Sequence, residues 1–146
     1  MKQILIISLD LISMSAKAQF SIGGGMGAST SKCAAGELQA GYTFTNGFAI
    51  TGVMAAQVTS KVKDGNGYFL TAGYGIPLSE SSYIEPSIGY GGVLRSSEQK
   101  QLNTGEAVYS LSFVHRIRYD AQLFIANHYF AKTFVGVIGL RLSMER

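Results

Sequence analysis

The chain has 146 residues, of which 47% are hydrophobic and 14% charged, with a formal net charge of +3. That length fits one domain, and the charged fraction is little more than half of the about 25% usual in a soluble domain. So small a positive excess leaves no electrostatic footprint for nucleic acid, and the single cysteine, Cys33, excludes an internal disulfide.

The first 18 residues read as a secretory signal peptide: Lys2 supplies the positive start, residues 4–12 an apolar core broken by Asp10, and Ala16-Lys17-Ala18 a small-x-small cleavage site. Cleavage would make Gln19 the first mature residue. It would remove two of the 12 basic and one of the 9 acidic residues, leaving residues 19–146 with a net charge of +2. No later run of about 18 apolar residues could cross a membrane as a helix. Cys33 lies too far past the cleavage site to be a lipoprotein cysteine.

Eight strands are predicted in the mature chain, at residues 20–29, 37–45, 48–59, 67–76, 83–94, 107–118, 121–130 and 133–144. Each is near the length that a tilted membrane strand needs. The first is crowded by Gly23, Gly24, Gly25 and Gly27. That run is no phosphate loop, since it lacks a Gly-Lys-Ser/Thr ending and no helical pattern follows it. The second alternates strictly, with Leu38, Ala40, Tyr42 and Phe44 opposing Gln39, Gly41, Thr43 and Thr45, which is the two-residue period of a sheet with one apolar face. Asn46-Gly47 then signals a tight hairpin. The fourth repeats the beat, with Tyr68, Leu70, Ala72, Tyr74 and Ile76 on one face. Pro86, inside the fifth, marks a bulge or a later start. In the sixth, Tyr109, Leu111, Phe113 and Ile117 mark the apolar face and send Arg116 and Arg118 to the other; in the eighth, Phe134, Ile138, Leu140 and Leu142 do the same for Arg141. The connections alternate between short turns and longer polar segments at 30–36, 60–66 and 95–106, with a short last one near Ala131-Lys132. Lys32, Lys61, Lys63, Arg95 and Lys100 give those loops a mildly basic rim.

Together these features predict an all-β fold: an eight-stranded antiparallel up-and-down transmembrane β-barrel at 19–146, after a cleavable signal peptide at 1–18. Aromatic residues near both strand ends suit interfacial girdles. An eight-stranded barrel is only wide enough for its own side chains, so inward charges must pair. Glu85, Arg116 and Arg141 form the expected lumen charge cluster, with Glu85 and Arg116 in contact between neighbouring strands and Arg141 nearby. Glu37 and Glu106, near the loop end, are expected to be solvated. His115 and Asn127 fall on the apolar parity, His128 on the inward one. No spacing of His, Cys, Asp or Glu suggests a metal site, no cofactor motif is present, and no catalytic residue is assigned.

With signal peptide, alternating strands and unequal loops in place, the chain resembles the small outer-membrane β-barrels of the OmpA and OmpX type. The Ala16-Lys17-Ala18-Gln19 junction and the closing residues 134–142 resemble those of Bacteroidetes outer-membrane barrels. The ending differs, because such proteins usually finish on an aromatic residue and this chain finishes Leu142-Ser143-Met144-Glu145-Arg146. Some outer-membrane barrels are lipid A deacylases using a His, a Ser and a Glu, and the stretch around His128 faintly resembles their His-x-Ser segment. Phe130 stands in the place of that serine, and without a nucleophile triad chemistry is not expected. The resemblance implies a monomeric, non-enzymatic integral protein of a Gram-negative outer membrane, whose partners are outer-membrane lipid and the barrel-assembly machinery. A structural, adhesive or surface-interaction role is expected. The alternatives are a small-solute channel and a secreted soluble barrel that binds a ligand inside.

Overall fold

The computed structural model describes residues 19–30, 34–58, 65–95, 101–130 and 133–144, with backbone alone at 57–58, 65–66, 93–95, 101–104 and 106. The predicted signal peptide, Cys33 and the basic loop residues Lys32, Lys61, Lys63 and Lys100 lie outside the described residues, as do the side chains of Arg95 and Glu106. The strands are β1 (Gln19–Ser29), β2 (Ala34–Thr43), β3 (Phe48–Val58), β4 (Gly65–Tyr74), the two-residue β5 (Ile76–Pro77), β6 (Ser82–Arg95), β7 (Gln101–Arg116), β8 (Ala121–Phe130) and β9 (Thr133–Met144). Chain neighbours pair antiparallel, β1 pairs with β9, and β4 pairs with β6 across the short β5. The sheet therefore closes, and the eight long strands form a barrel.

Register fixes its shape. A walk across the sheet from Phe20 passes Tyr42, Ile50, Ala72, Ile88, Tyr109, Tyr129 and Phe134. It returns to β1 at Thr30, whose amide donates to the Phe134 carbonyl. The stagger is thus ten residues, from 20 to 30. With about 3.3 Å per residue and about 4.8 Å between strands, ten residues over eight strands give a tilt of about 40° and a backbone radius of about 8 Å. Such a tube has room for side chains and little else.

Alternation sorts those side chains as the sequence implies. Outward positions carry Phe20, Ile22, Leu38, Ile50, Leu70, Ile88, Leu111, Ile125, Ile138 and Leu140, all exposed. Among the described residues, no charge occupies an outward position within the long strands; His115 and Asn127 are the polar exceptions. His115 is tied to the Ser82 hydroxyl at 2.9 Å. On β9 the apolar stripe from Phe134 to Met144 rises about 25 Å at that tilt. Arg118, expected to point inward, lies beyond the end of β7 and is exposed beside Asp120 at 3.4 Å.

The inward face is less polar than its sequence suggests. Phe69, Val108, Val114, Phe124, Phe130, Val135 and Val137 are buried and pack as a core within the tube. Glycine supplies the space for their rings. A Cβ at Gly67 would stand 2.9 Å from the Phe130 ring, and one at Gly139 would stand 2.6 Å from that of Phe124. On β1, inward Gly23, Gly25 and Gly27 leave a wall without side chains, over which residues of β9 and β2 reach one another.

Three local departures have physical causes. The hairpin expected at Asn46-Gly47 is closed by a bond from the Phe44 amide to the Phe48 carbonyl, with Gly47 at φ +85°, so the turn spans residues 45–47. Pro86 sits inside β6, which starts before it; having no N–H, it coincides with the break in the facing ladder between β4 and β5. There the Gly75 amide donates to the Gly47 carbonyl instead. The polar segment expected as a loop at 95–106 is largely ladder, since β6 and β7 stay paired out to Arg95 and Gln101. A bulge at Gly105, φ +110°, absorbs the register shift opposite Gly91 and Gly92.

Candidate functional site in the lumen

Two polar clusters lie in the tube, one on either side of the Phe124 ring. At the turn end, Arg141 of β9 is 4% exposed. Its Nη2 donates to Gln39 Oε1 at 3.0 Å, and its Nη1 donates to the Tyr83 hydroxyl at 3.4 Å and lies 3.6 Å from Glu85 Oε2. Tyr83 in turn donates to Gln122 Oε1 at 3.3 Å, and the guanidinium lies 5.7 Å from the centroid of the Phe124 ring. One cation thus ties β9 to β2 and β6, strands that share no ladder with it. Bare Gly23 on the intervening β1 makes the Gln39 contact possible.

The sequence expectation put Glu85 against Arg116, with Arg141 nearby. The structure pairs Glu85 with Arg141. Arg116 stands at the last rung of β7, opposite Gln122, and its amide reaches the Ser81 carbonyl before β6 begins. Its side chain is exposed at the mouth of the tube, whereas Glu85 is one-twentieth exposed. The two residues line one cavity without an ion pair between them.

Nearer the loop end, Ser110 of β7, His128 of β8 and Glu37 of β2 converge. Ser110 Oγ is 2.7 Å from His128 Nδ1, and His128 Nε2 is 2.8 Å from Glu37 Oε2. A carboxylate can only accept, so Nε2 carries the hydrogen toward Glu37, while Nδ1 and the Ser110 hydroxyl share the second bond. All three residues are buried, Glu37 at 4% exposure. The expectation of a solvated Glu37 is thereby corrected: β2 begins at Ala34, which carries Glu37 inside the tube. The arrangement is a Ser–His–Glu relay in connectivity, and alternation along single strands connects neither its serine nor its acid to His128. The Ser110–His128 pair does have a sequence signal, because the tight turn at Arg118–Ala121 sets the two directly opposite. The Phe69 ring lies tilted beside the relay, 5.4 Å from the imidazole and 5.3 Å from the Phe130 ring. Among the described residues, no group of three His, Cys, Asp or Glu side chains is placed to hold a metal ion.

No protein-family model and no curated protein matches the chain. Solved structures do match in fold. The outer membrane enzyme PagL superposes with a TM-score of 0.64 at 9% identity, over 84% of this chain and 98% of its own. A de novo designed transmembrane β-barrel gives 0.63 at 12%, over 88% and 96%. Ail of Yersinia pestis in a phospholipid bilayer nanodisc gives 0.59 at 13%, over 88% and 99%. At such identities the likeness is one of architecture, and it covers nearly the whole of each of these chains: this protein has the fold of the small eight-stranded outer-membrane barrels.

Proposed function

We propose that the chain is a non-enzymatic integral protein of a Gram-negative outer membrane, exported by its signal peptide, with a side-chain-plugged lumen and a role exerted through its surfaces. The observation that carries this reading is the outward wall, apolar on every long strand and free of charge among the described residues. An Arg at mid-membrane on such a wall would cost about 2–4 kcal/mol, so a wall without one suits hydrocarbon. The fold is shared with Ail, described as an attachment invasion locus protein, and that likeness is in keeping with a surface-interaction role here. Closure of the barrel satisfies the backbone that hydrocarbon would leave unpaired.

The plug argues for a silent pore. Refolded into planar bilayers, the protein is expected to insert without stepwise conductance, whereas regular conductance steps would support a small-solute channel instead. The relay argues similarly about chemistry. A nucleophile needs a reacting carbon within about 3–3.5 Å, and Ser110 is buried inside the tube. An alkyl fluorophosphonate is therefore expected to leave Ser110 unmodified in the folded protein, as read by intact mass. Stoichiometric labelling that disappears in Ser110→Ala would establish an esterase-like site and overturn the non-enzymatic reading.

A further inference from the structure

The lumen opens at its turn end into a cavity of about 370 Å³, lined by residues of the strand ends and turns around the mouth. Two of its charges are incompletely used. Glu85 forms part of the wall, is 5% exposed, and has Arg141 as its ion partner at 3.6 Å, beyond hydrogen-bond reach. Among the described residues nothing donates a hydrogen bond to its carboxylate. Arg116 lines the same cavity, and among the described residues its guanidinium forms no ion pair. Neutral polar groups, including Asn46, Ser82 and Gln122, line the same cavity.

We propose that this cavity binds a small zwitterion, taking its ammonium at Glu85 and its carboxylate at Arg116. A lone cation would meet the repulsion of Arg116 and Arg141, and a lone anion that of Glu85 and of Glu80 at the rim. A molecule carrying both charges satisfies each in turn, and a guanidinium accommodates a carboxylate through two parallel hydrogen bonds. Tyr83 and Gln122, already bonded to each other, add a hydroxyl and an amide to the cavity wall. The class of ligand is an amino acid or the equivalent part of a short peptide, entering along the lumen axis from the turn end. A phosphoethanolamine headgroup presents the same pair of charges.

The test is a titration of the detergent-refolded protein, followed by amide chemical shifts at Ser82 and Gln122. The probes are glycine, 4-aminobutanoate, 6-aminohexanoate and glycerophosphoethanolamine, with ethylamine and acetate as single-charge controls. At least one zwitterion is expected to bind about tenfold or more tightly than either control, which is the worth of one additional charge-assisted hydrogen bond. Preference for an amino acid assigns the site to a soluble ligand, and preference for glycerophosphoethanolamine to a lipid headgroup. Arg116→Gln is the deciding variant, because its side chain is exposed and lies outside the Arg141 network. It should weaken the zwitterion about tenfold while leaving ethylamine, freed of the Arg116 charge, bound no more weakly than before. Zwitterions no tighter than the controls, or an Arg116→Gln protein that binds them undiminished, would overturn the proposal. Since the titration is made in detergent, its outcome is independent of whether the protein spans a membrane.

Discussion

Arg141→Ala is expected to destabilise the barrel by about 3–5 kcal/mol, the loss typical when one partner of a buried ion pair is removed. Glu85 would be left buried without a cation, Gln39 Oε1 would lose its donor, and the face of Phe124 would lose the guanidinium beside it. Urea titration of the detergent-refolded protein, read from the shift between folded and unfolded bands on a gel, measures this directly. The paired variant Arg141→Met with Glu85→Gln separates the charge from the packing. Replacing both members of a buried pair is often close to neutral, so the double variant should recover most of the loss. A double variant as unstable as the single one would mean that the loss lies in the guanidinium's hydrogen bonds to Gln39 and Tyr83 and not in an unpaired Glu85.

Leu140→Arg is expected to cost about 2–4 kcal/mol in a bilayer, while Met144→Arg, at the end of the same strand, should cost about 0–1 kcal/mol. Both positions are exposed on the outward wall of β9. Leu140 is flanked by Gly24 and Leu123 in the body of the sheet, and Met144 closes the last rung beside Phe20. Water would treat the two alike, because an exposed surface substitution usually stays within about 0.5 kcal/mol. The difference between the two variants therefore reports the depth of hydrocarbon along the strand. Urea titration in phospholipid vesicles gives that difference, and equal, small losses would place the wall in water.

How much of the barrel is legible in the chain depends on the range over which each signal acts. The two-residue period is local, so it assigns the outward faces of β7, β8 and β9 and turns Arg116 and Arg141 away from the apolar side. Hairpin register is nearly as local, since one tight turn fixes it; Ser110 opposite His128 follows from the turn at Arg118–Ala121. Contacts across the lumen depend on more. Glu37 meets His128, and Arg141 meets Glu85, between strands that are not neighbours, and those meetings depend on the ten-residue stagger of the closed barrel. No alternation pattern contains that stagger, because it emerges only when every register is summed around the ring. Alternation therefore sets Glu85 against Arg116 on the neighbouring strand, although the two occupy different rungs and different burial. Strand ends are misread for another reason. Thr104-Gly105-Glu106 reads as loop by composition, yet ladder bonds hold β7 through the bulge, and β2 gains Ala34, Ala35 and Gly36 in the same way.

The lumen also shows what its sequence could not weigh. Inward Phe124 meets side-chain-free Gly139 on the neighbouring strand, whereas the closed tube alone brings the Phe130 ring to Gly67. A face that looks small and polar on β1 and β2 becomes a packed interior once β8 fills it.

The central claim is that the apolar wall faces lipid, and the most direct measurement is the folding of residues 19–146 with and without an amphiphile. Diluted from urea into detergent or phospholipid vesicles, the chain should give a β-rich monomer whose unboiled gel mobility differs from its boiled mobility. Diluted into buffer alone, it should give neither that band shift nor a monodisperse species. A folded, soluble monomer in buffer without detergent would contradict the account.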